Sequence, residues 1–239
     1  FEKQDWPLLA VLVPYTLLIM LSSYSVCRAM VMPASFLVVL FYAIYLVVRN
    51  GVISYQKASG LAMFSGIVIF CFYSFIRLKE MLPVEEYGYD AIFFLLLILC
   101  FAWGGDTCAY FAGRAFGKHK LCPVVSPKKT VEGAVGGVLG TMVFGVLVTV
   151  IYSIAADRME EFTRSNIGVS MYVIIALLAC VAAVLGIYGD LFASVVKRQC
   201  GIKDYGTIFP GHGGILDRFD SVMFIAPFVT MVVIAAFYD

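Results

Sequence analysis

The sequence has little charge for its length. Of its 239 residues only 14% are charged, whereas 62% are hydrophobic and the mean hydropathy is +0.94. A soluble domain carries about 25% charged residues, so this chain lacks the polar surface that would cover a water-soluble globule. Its apolar residues also lie in long blocks, which excludes a soluble protein with one large core. The sequence therefore predicts an integral membrane protein that is surrounded by a lipid bilayer.

Three further features that the sequence lacks narrow the class of protein: a large net charge, paired cysteines and period-2 alternation. The net charge is only +1, so the charge balance indicates no nucleic-acid partner. The seven cysteines form no CxxC pair, and we interpret them as small buried hydrophobes. The apolar runs show no period-2 alternation, which excludes the strands of a membrane barrel and favours helices.

The apolar blocks predict an all-α, polytopic transmembrane helical bundle with about seven spans. We expect one integral membrane domain over 1–239, with N-terminal helices in 1–90 and catalytic helices and cytoplasmic loops in 91–239. The second span is expected to be the shortest, and because of Pro14 the first is expected to be either kinked or partly interfacial. The predicted spans are 6–25, 33–48, 58–78, 91–112, 131–155, 171–196 and 219–238.

The charges of the loops predict the orientation. The loop 113–130 carries five basic residues and no acid, and the loop 197–218 is also rich in lysine and arginine. The loops 79–90 and 156–170 are mixed or acidic. Because basic loops are retained on the cytoplasmic side, we expect the first two loops and the active site to face the cytoplasm. The expected location is the inner (cytoplasmic) membrane.

Polar residues concentrate around the last basic loop. Asp190 lies within an apolar helix, where an acid is costly and suggests a function. Asp190, Ser194 and Lys197 are spaced i, i+4, i+7 and share a helix face. Asp217 and Asp220, spaced i, i+3, are expected to share a face at the start of the last span. The three acids are then expected to converge as oxygen ligands of Mg²⁺. Alternatively, Asp217 and Asp220 merely favour a helix N-terminus.

Glycines and basic residues lie between these acids. Glycines allow backbone N–H groups to approach a phosphate, and lysine or arginine side chains can hold a triphosphate. The alternative is an ordinary flexible turn, flanked by the basic residues that usually follow a membrane span. The glycine-rich turn contains Gly211, His212, Gly213 and Gly214, and the basic residues are Lys197, Arg198 and Lys203.

A second polar segment runs from Asp106 to Gly137. Asp106 is a further acid within an apolar block, and Ser126, Lys128 and Lys129 precede a predicted helix. Hydroxyl and ammonium groups beside a helix N-terminus make a plausible anion site. The glycines that follow have small-xxx-small spacing, which we interpret as helix packing. They are Gly133, Gly136, Gly137 and Gly140.

The residues from Ser194 to Asp220 resemble the signature of the phosphatidate cytidylyltransferase (CDP-diacylglycerol synthase) family, in residue type and in spacing. The segment 126–133 is similar to a second block of that family, and the chain looks like a bacterial-type member. The resemblance implies that CTP and phosphatidate give CDP-diacylglycerol and pyrophosphate in phospholipid biosynthesis. It also implies Mg²⁺, a second cation such as K⁺, and a homodimer.

The resemblance also implies roles for individual residues. Asp190, Asp217 and Asp220 match the metal-site acids, and with Lys197, Arg198 and Lys203 they are the expected catalytic residues. The remaining motif residues are expected to bind substrate. These are Ser126, Lys128, Lys129, Gly211, His212, Gly213, Gly214, Arg218 and Asp106.

Two other functions fit parts of the pattern. A CTP-dependent kinase acting on a polyprenol or phytol would transfer the γ-phosphate to a hydroxyl and form no CDP-lipid. An ion-coupled transporter would use the intramembrane acids. Transporters tend to have related halves, and the sequence shows no such internal repeat.

Overall fold

The protein is almost entirely helical. The computed structural model describes residues 5–49, 52–158, 167–206 and 213–237. The prediction of an all-α membrane protein is confirmed. The helices are α1 Trp6–Met20, α2 Ser25–Val48, α3 Tyr55–Met81, α4 Val84–Tyr87, α5 Asp90–Leu99, α6 Gly105–Phe116, α7 Val131–Arg158, α8 Val169–Gln199 and α9 Val222–Phe237.

Five helical segments of the described chain are long and apolar enough to cross a bilayer. They are α2, α3, α7, α8 and the continuous segment Asp90–Phe116, in which a π-helical turn, Cys100–Gly104, joins α5 to α6. Helices α1 and α9 are apolar but have only 15 and 16 residues, or about 22–24 Å at 1.5 Å per residue. Each of the seven predicted spans thus corresponds to an apolar helix, but two of these helices are shorter than a bilayer core of about 30 Å.

The prediction that the second span is the shortest is wrong. Helix α2 has 24 residues and contains Pro33 in its interior, whereas the hydropathy pattern predicts that the span starts at Pro33. A proline removes one backbone hydrogen bond without always ending a membrane helix. Helix α1, which contains Pro14, is the shortest of the seven.

The chain divides into two compact units, Phe1–Ile76 and Arg77–Asp239. In the first unit, Leu8 of α1 and Tyr42 of α2 belong to a buried apolar cluster. The Tyr42 hydroxyl donates a 3.2 Å hydrogen bond to the Leu8 carbonyl. Lys57 lies 2.7 Å from the buried carboxylate of Asp5. These contacts link α1 to α2 and to the first turn of α3.

In the second unit, α7 packs between α6 and α8, and α8 packs against α9. The glycines of α7 permit a close approach to α6. A Cβ atom at Gly136 would lie 2.2 Å from the Cβ of Ala112, and one at Gly140 would lie 2.3 Å from the Cβ of Cys108. The interpretation of these glycines as packing residues is therefore confirmed.

A short hairpin, which the sequence did not predict, connects α6 to α7. Strand β1, Lys120–Cys122, pairs antiparallel with β2, Ser126–Thr130. Strand β2 continues directly into α7 without a linker. The segment Ser126–Thr130 is therefore an extended strand that leads into the helix.

Candidate active site

Three carboxylates from different elements form the centre of the polar region of the second unit. Asp106 lies in the first turn of α6, Asp190 lies in α8, and Asp220 lies just before α9. The three are close enough to interact electrostatically with one another. The Ser221 hydroxyl donates a 3.0 Å hydrogen bond to Asp106, and the Ser221 N–H donates to Asp220 at 2.9 Å. Ser221 thus links two of the acids.

Gly189 brings Asp190 and Asp220 close together. A Cβ atom at Gly189 would lie 2.6 Å from the carbonyl oxygen of Asp220 and 3.1 Å from the ring of Phe224. Only a glycine lets α8 approach the start of α9 this closely, since the nearest obstacle is backbone. The small residue beside Asp190 therefore sets the spacing between the two acids.

Asp190 has a cationic partner from the hairpin. The ammonium group of Lys129 forms an ion pair with Asp190, and about a quarter of each side chain is exposed. Ser194, one turn along α8, donates to Asp190 at 3.4 Å. The predicted helix face of Asp190 and Ser194 is thus present, and the hairpin adds a lysine to it.

Asp217 has a different environment from the other three acids. Its carboxylate accepts hydrogen bonds of 2.8 Å from the Lys197 ammonium group and from the backbone N–H groups of Tyr205 and Gly214. Burial opposes ionisation of Asp217, but the hydrogen bonds from Lys197, Gly214 and Tyr205 outweigh it and lower the pKa of this carboxyl. In this arrangement Asp217 fastens the loop after α8 to the last turn of that helix.

Asp217 and Asp220 do not share a face of the last helix, and that prediction is wrong. Asp217 lies in a 3₁₀ turn, Leu216–Arg218, and α9 begins only at Val222. Asp217 therefore lies in the turn before α9, where it pairs with Lys197, whereas Asp220 interacts with Asp106 and Asp190.

Tyr205 also anchors this loop, a role that no sequence pattern predicts. Its hydroxyl donates a 3.1 Å hydrogen bond to the Ala193 carbonyl, and the Lys197 ammonium group lies 5.2 Å from its ring centroid. This is a cation–π distance. Burial, followed by the charges of Cys200, Asp217 and Asp220, raises the pKa of the Tyr205 hydroxyl.

The other predicted substrate-binding residues are spread over three places. Ser126 and Lys128 lie in β2, where Lys128 is exposed. Arg198, Lys203 and Arg218 are exposed, and the Arg218 carbonyl accepts a 3.0 Å hydrogen bond from the Trp103 indole. Gly211 and His212 lie outside the described residues.

Gly213 and Gly214 are the described part of the glycine-rich turn. Gly213 has a φ of +82°, a conformation that side chains rarely adopt. A Cβ atom there would lie 2.9 Å from the Asp217 carboxylate. Gly214 directs its N–H to the same carboxylate. Both glycines therefore allow the turn to close around Asp217.

A small cavity of about 20 Å³ adjoins the acid cluster. Asp106, Gly105, Thr141 and Ser221 contribute to its lining. Its volume corresponds to about one water molecule, which is far too small for a nucleotide.

The chemistry of the acid cluster suits a hard cation. Carboxylate oxygens are the usual protein ligands of Mg²⁺, and neighbouring carboxylates repel one another unless a cation compensates their charge. Within the ranges that the structure describes, no three acid, histidine or cysteine side chains already converge closely enough to hold an ion. The donor set therefore fits Mg²⁺ in kind, and ion binding would require the side chains to move closer together.

The family model for the cytidylyltransferase family matches residues 1–236. The chain belongs to this family. It is 32% identical over 191 residues to a phosphatidate cytidylyltransferase of Bacillus subtilis, covering 80% of this chain and 64% of that protein.

Relatives of the same name occur in Staphylococcus. The chain is 38% identical over 145 residues to the protein of Staphylococcus haemolyticus and 41% identical over 145 residues to that of Staphylococcus epidermidis. Each alignment covers 61% of this chain and 50% of the relative. The chain thus spans about half to two thirds of the length of these curated relatives. The resemblance found in the sequence is confirmed at the level of the family.

Proposed function

We propose that this protein is a phosphatidate cytidylyltransferase, a nucleotidyltransferase that forms CDP-diacylglycerol and pyrophosphate from CTP and phosphatidate. The observation that carries the proposal is the cluster of Asp106, Asp190 and Asp220 with Lys129 beside it, in a member of the cytidylyltransferase family. The names of the bacterial relatives support the choice of substrates.

The proposed reaction needs little proton transfer. A phosphatidate oxygen, already anionic at neutral pH, attacks the α-phosphorus of CTP. The bond from this phosphorus to the bridging oxygen breaks, and pyrophosphate leaves with the electron pair. The obstacle is repulsion between two anions, so positioned positive charge is the main catalytic requirement.

Lysines of this chain can supply part of that charge. Lys129 is placed at the acid cluster by the hairpin, and Lys197 lies one helical turn beyond Ser194 on α8. Lys128, Arg198 and Lys203 are exposed and available to phosphate oxygens. We propose that these residues bind the triphosphate and stabilise the departing pyrophosphate.

We propose that Asp190 and Asp220, with Asp106, hold Mg²⁺, with a second cation such as K⁺ as a further expectation. When bound, such an ion supplies positive charge that neutralises and aligns the phosphates. Asp217 remains a predicted ligand. Because the Lys197 ammonium group lies 2.8 Å from it, an ion bound there would have to displace that group.

The proposal includes an orientation and an assembly. The basic hairpin and the loop after α8 are expected to face the cytoplasm, so that CTP enters from water and phosphatidate from the bilayer. We expect the protein to lie in the inner membrane because of the positive-inside pattern. We expect a homodimer because of the family resemblance. Cross-linking of the purified protein in detergent measures the assembly.

The test is a direct assay of products. Purified protein is incubated with labelled CTP, Mg²⁺ and phosphatidate, and the lipid and aqueous products are resolved by chromatography. The proposal predicts equal amounts of CDP-lipid and pyrophosphate. A parallel reaction replaces phosphatidate with a polyprenol. Formation of CDP and a phosphorylated polyprenol there would instead indicate a CTP-dependent lipid kinase, and no turnover of CTP in either reaction would contradict both enzymes.

A further inference from the structure

Glu132, in the first turn of α7, gathers donors from the segment that precedes the hairpin. Its carboxylate accepts the backbone N–H of Lys118 at 3.1 Å and that of His119 at 3.2 Å. The His119 Nδ1 lies 2.6 Å from the same carboxylate. Three donors from two consecutive residues thus meet one side chain, of which a quarter is exposed.

Other contacts close the base of the hairpin around Glu132. The Val131 N–H donates to the His119 carbonyl at 2.9 Å, and Lys120 pairs with Thr130 in the strand register. The Thr130 hydroxyl accepts the N–H of Gly133 at 3.1 Å, which caps the start of α7. Both strands are therefore tied to the N-terminus of one helix, where a negative charge is favourable.

The position of the hairpin determines where Lys129 lies. Strand β2 continues directly into α7, and along it Lys128 is exposed while Lys129 forms its ion pair with Asp190 on α8. A shift or twist of the hairpin base would move the Lys129 ammonium group away from Asp190. The three donors at Glu132 oppose such a shift, because they hold the start of β1 to α7, the helix that follows β2.

We propose that Glu132 is a positioning residue, whose carboxylate holds the hairpin so that Lys129 stays at the acid cluster. The consequence for catalysis rests on the proposed function, because Lys129 is taken to bind CTP phosphate. The hairpin geometry itself does not depend on that function. A purely local role of Glu132 at the N-terminus of α7 would instead leave Lys129 undisturbed.

Three variants separate these roles. Glu132→Ala removes all three contacts. Glu132→Gln keeps the length of the side chain and one carbonyl oxygen, so it should retain some of the hydrogen bonds from the backbone N–H groups of Lys118 and His119. His119→Ala removes only the ring contact and should have the smallest effect. Glu85→Ala is the matched control, since Glu85 is an exposed glutamate of the short helix α4.

The measurement is the rate at which an amine-reactive reagent labels individual lysines of the folded protein, followed by mass spectrometry. Lys129 should react slowly in the unmodified protein and severalfold faster in Glu132→Ala, with Glu132→Gln between them. Lys128 and Lys203, both exposed, are internal references that should not change. Asp190→Asn is the positive control, because it weakens the ion pair of Lys129 directly.

Kinetics provide the second measurement. Glu132→Ala should raise the KM for CTP more than the KM for phosphatidate, and Glu132→Gln should restore part of the loss. Unchanged Lys129 reactivity in the folded Glu132→Ala and Glu132→Gln proteins would overturn the inference, as would an equal increase in Glu85→Ala. If Glu132→Ala does not fold, Glu132→Gln and His119→Ala decide the outcome. Failure of the unmodified protein to form CDP-lipid would refute the proposed function alone.

Discussion

Replacement of Asp217 tests whether its carboxylate stabilises the loop between α8 and α9. Only 7% of the Asp217 side chain and 11% of the Lys197 side chain are exposed. Asp217→Ala would leave the Lys197 ammonium group without its carboxylate and would remove the acceptor of the Tyr205 and Gly214 N–H groups. Removal of one partner from a buried ion pair costs about 3–5 kcal/mol. We expect a loss of stability of that order in detergent.

Asp217→Asn should be less damaging. Asparagine keeps one oxygen, which can still accept from the loop N–H groups or from Lys197, but it loses the negative charge. Hydrogen bonds to a charged group are worth about 1.5–3 kcal/mol each. We therefore expect Asp217→Asn to lower the free energy of unfolding by about 3 kcal/mol, the lower end of the range given for Asp217→Ala. If Asp217 also binds the metal, Asp217→Asn should in addition nearly abolish turnover, and millimolar Mg²⁺ or Mn²⁺ should partly restore it.

The assay is denaturant or thermal unfolding of the purified variants in detergent. Asp204→Ala, an exposed acid of the same loop, is the matched control and should change little. The double variant Lys197→Met with Asp217→Ala should be more stable than Asp217→Ala alone, because it leaves no unpaired ammonium group. Wild-type stability of Asp217→Ala, or no gain in the double variant, would show that Asp217 does not stabilise this loop through Lys197.

The pH dependence follows from the lowered pKa of Asp217. A carboxyl whose pKa is lower in the folded state stabilises the fold above its unfolded value, which is about 3.9. That contribution is lost as the pH falls through the folded pKa. The difference in stability between the wild type and Asp217→Ala should therefore be constant near neutrality and shrink below about pH 4. A difference that shrinks already near neutral pH would contradict this assignment.

The remaining predictions concern packing, nucleotide choice and topology. Gly189→Ala should sharply reduce turnover, because the added methyl group would lie 2.6 Å from the Asp220 carbonyl oxygen. Gly60→Ala is the control and should not reduce turnover, because Gly60 has open space around it. Equal activities of the two variants would contradict the role of Gly189. Unlabelled CTP should compete in the labelling assay far better than ATP or GTP, and equal competition by ATP would argue against a cytidylyltransferase. Single cysteines are introduced at positions 120, 160 and 203 of a variant without native cysteines, and an impermeant thiol reagent is added to intact cells. It should label the cysteine at position 160 but not those at 120 or 203. The reverse pattern would indicate the opposite topology.

The helices could be predicted because hydropathy is a local property. Each apolar block corresponds to a helix. Asp190, the acid within α8, indicates the position of the polar region from the sequence alone. The errors occurred at the ends of helices. The hydropathy pattern predicts a boundary at Pro33, but α2 continues through it. Helix α9 starts three residues later than predicted because Leu216–Arg218 forms a 3₁₀ turn.

The hairpin and the pairing of charges could not be predicted in the same way. Strand β2 has the sequence SPKKT, which contains a proline and two lysines and lacks the alternation of a typical strand. Asp106 meets Ser221 across 115 positions, and Lys197 meets Asp217 across 20. Such partners depend on how α6, α8 and α9 pack, which residue spacing along a single sequence does not specify.

We propose that the acid cluster is the place where the cytidylyl group of CTP is transferred to a lipid phosphate. The most direct measurement compares CTP labelled at the α-phosphate with CTP labelled at the γ-phosphate, using phosphatidate, Mg²⁺ and either the wild type or Asp190→Asn. We expect label in the lipid only from the α-position, and almost none with folded Asp190→Asn. Label from the γ-position, or wild-type transfer by Asp190→Asn, would contradict it.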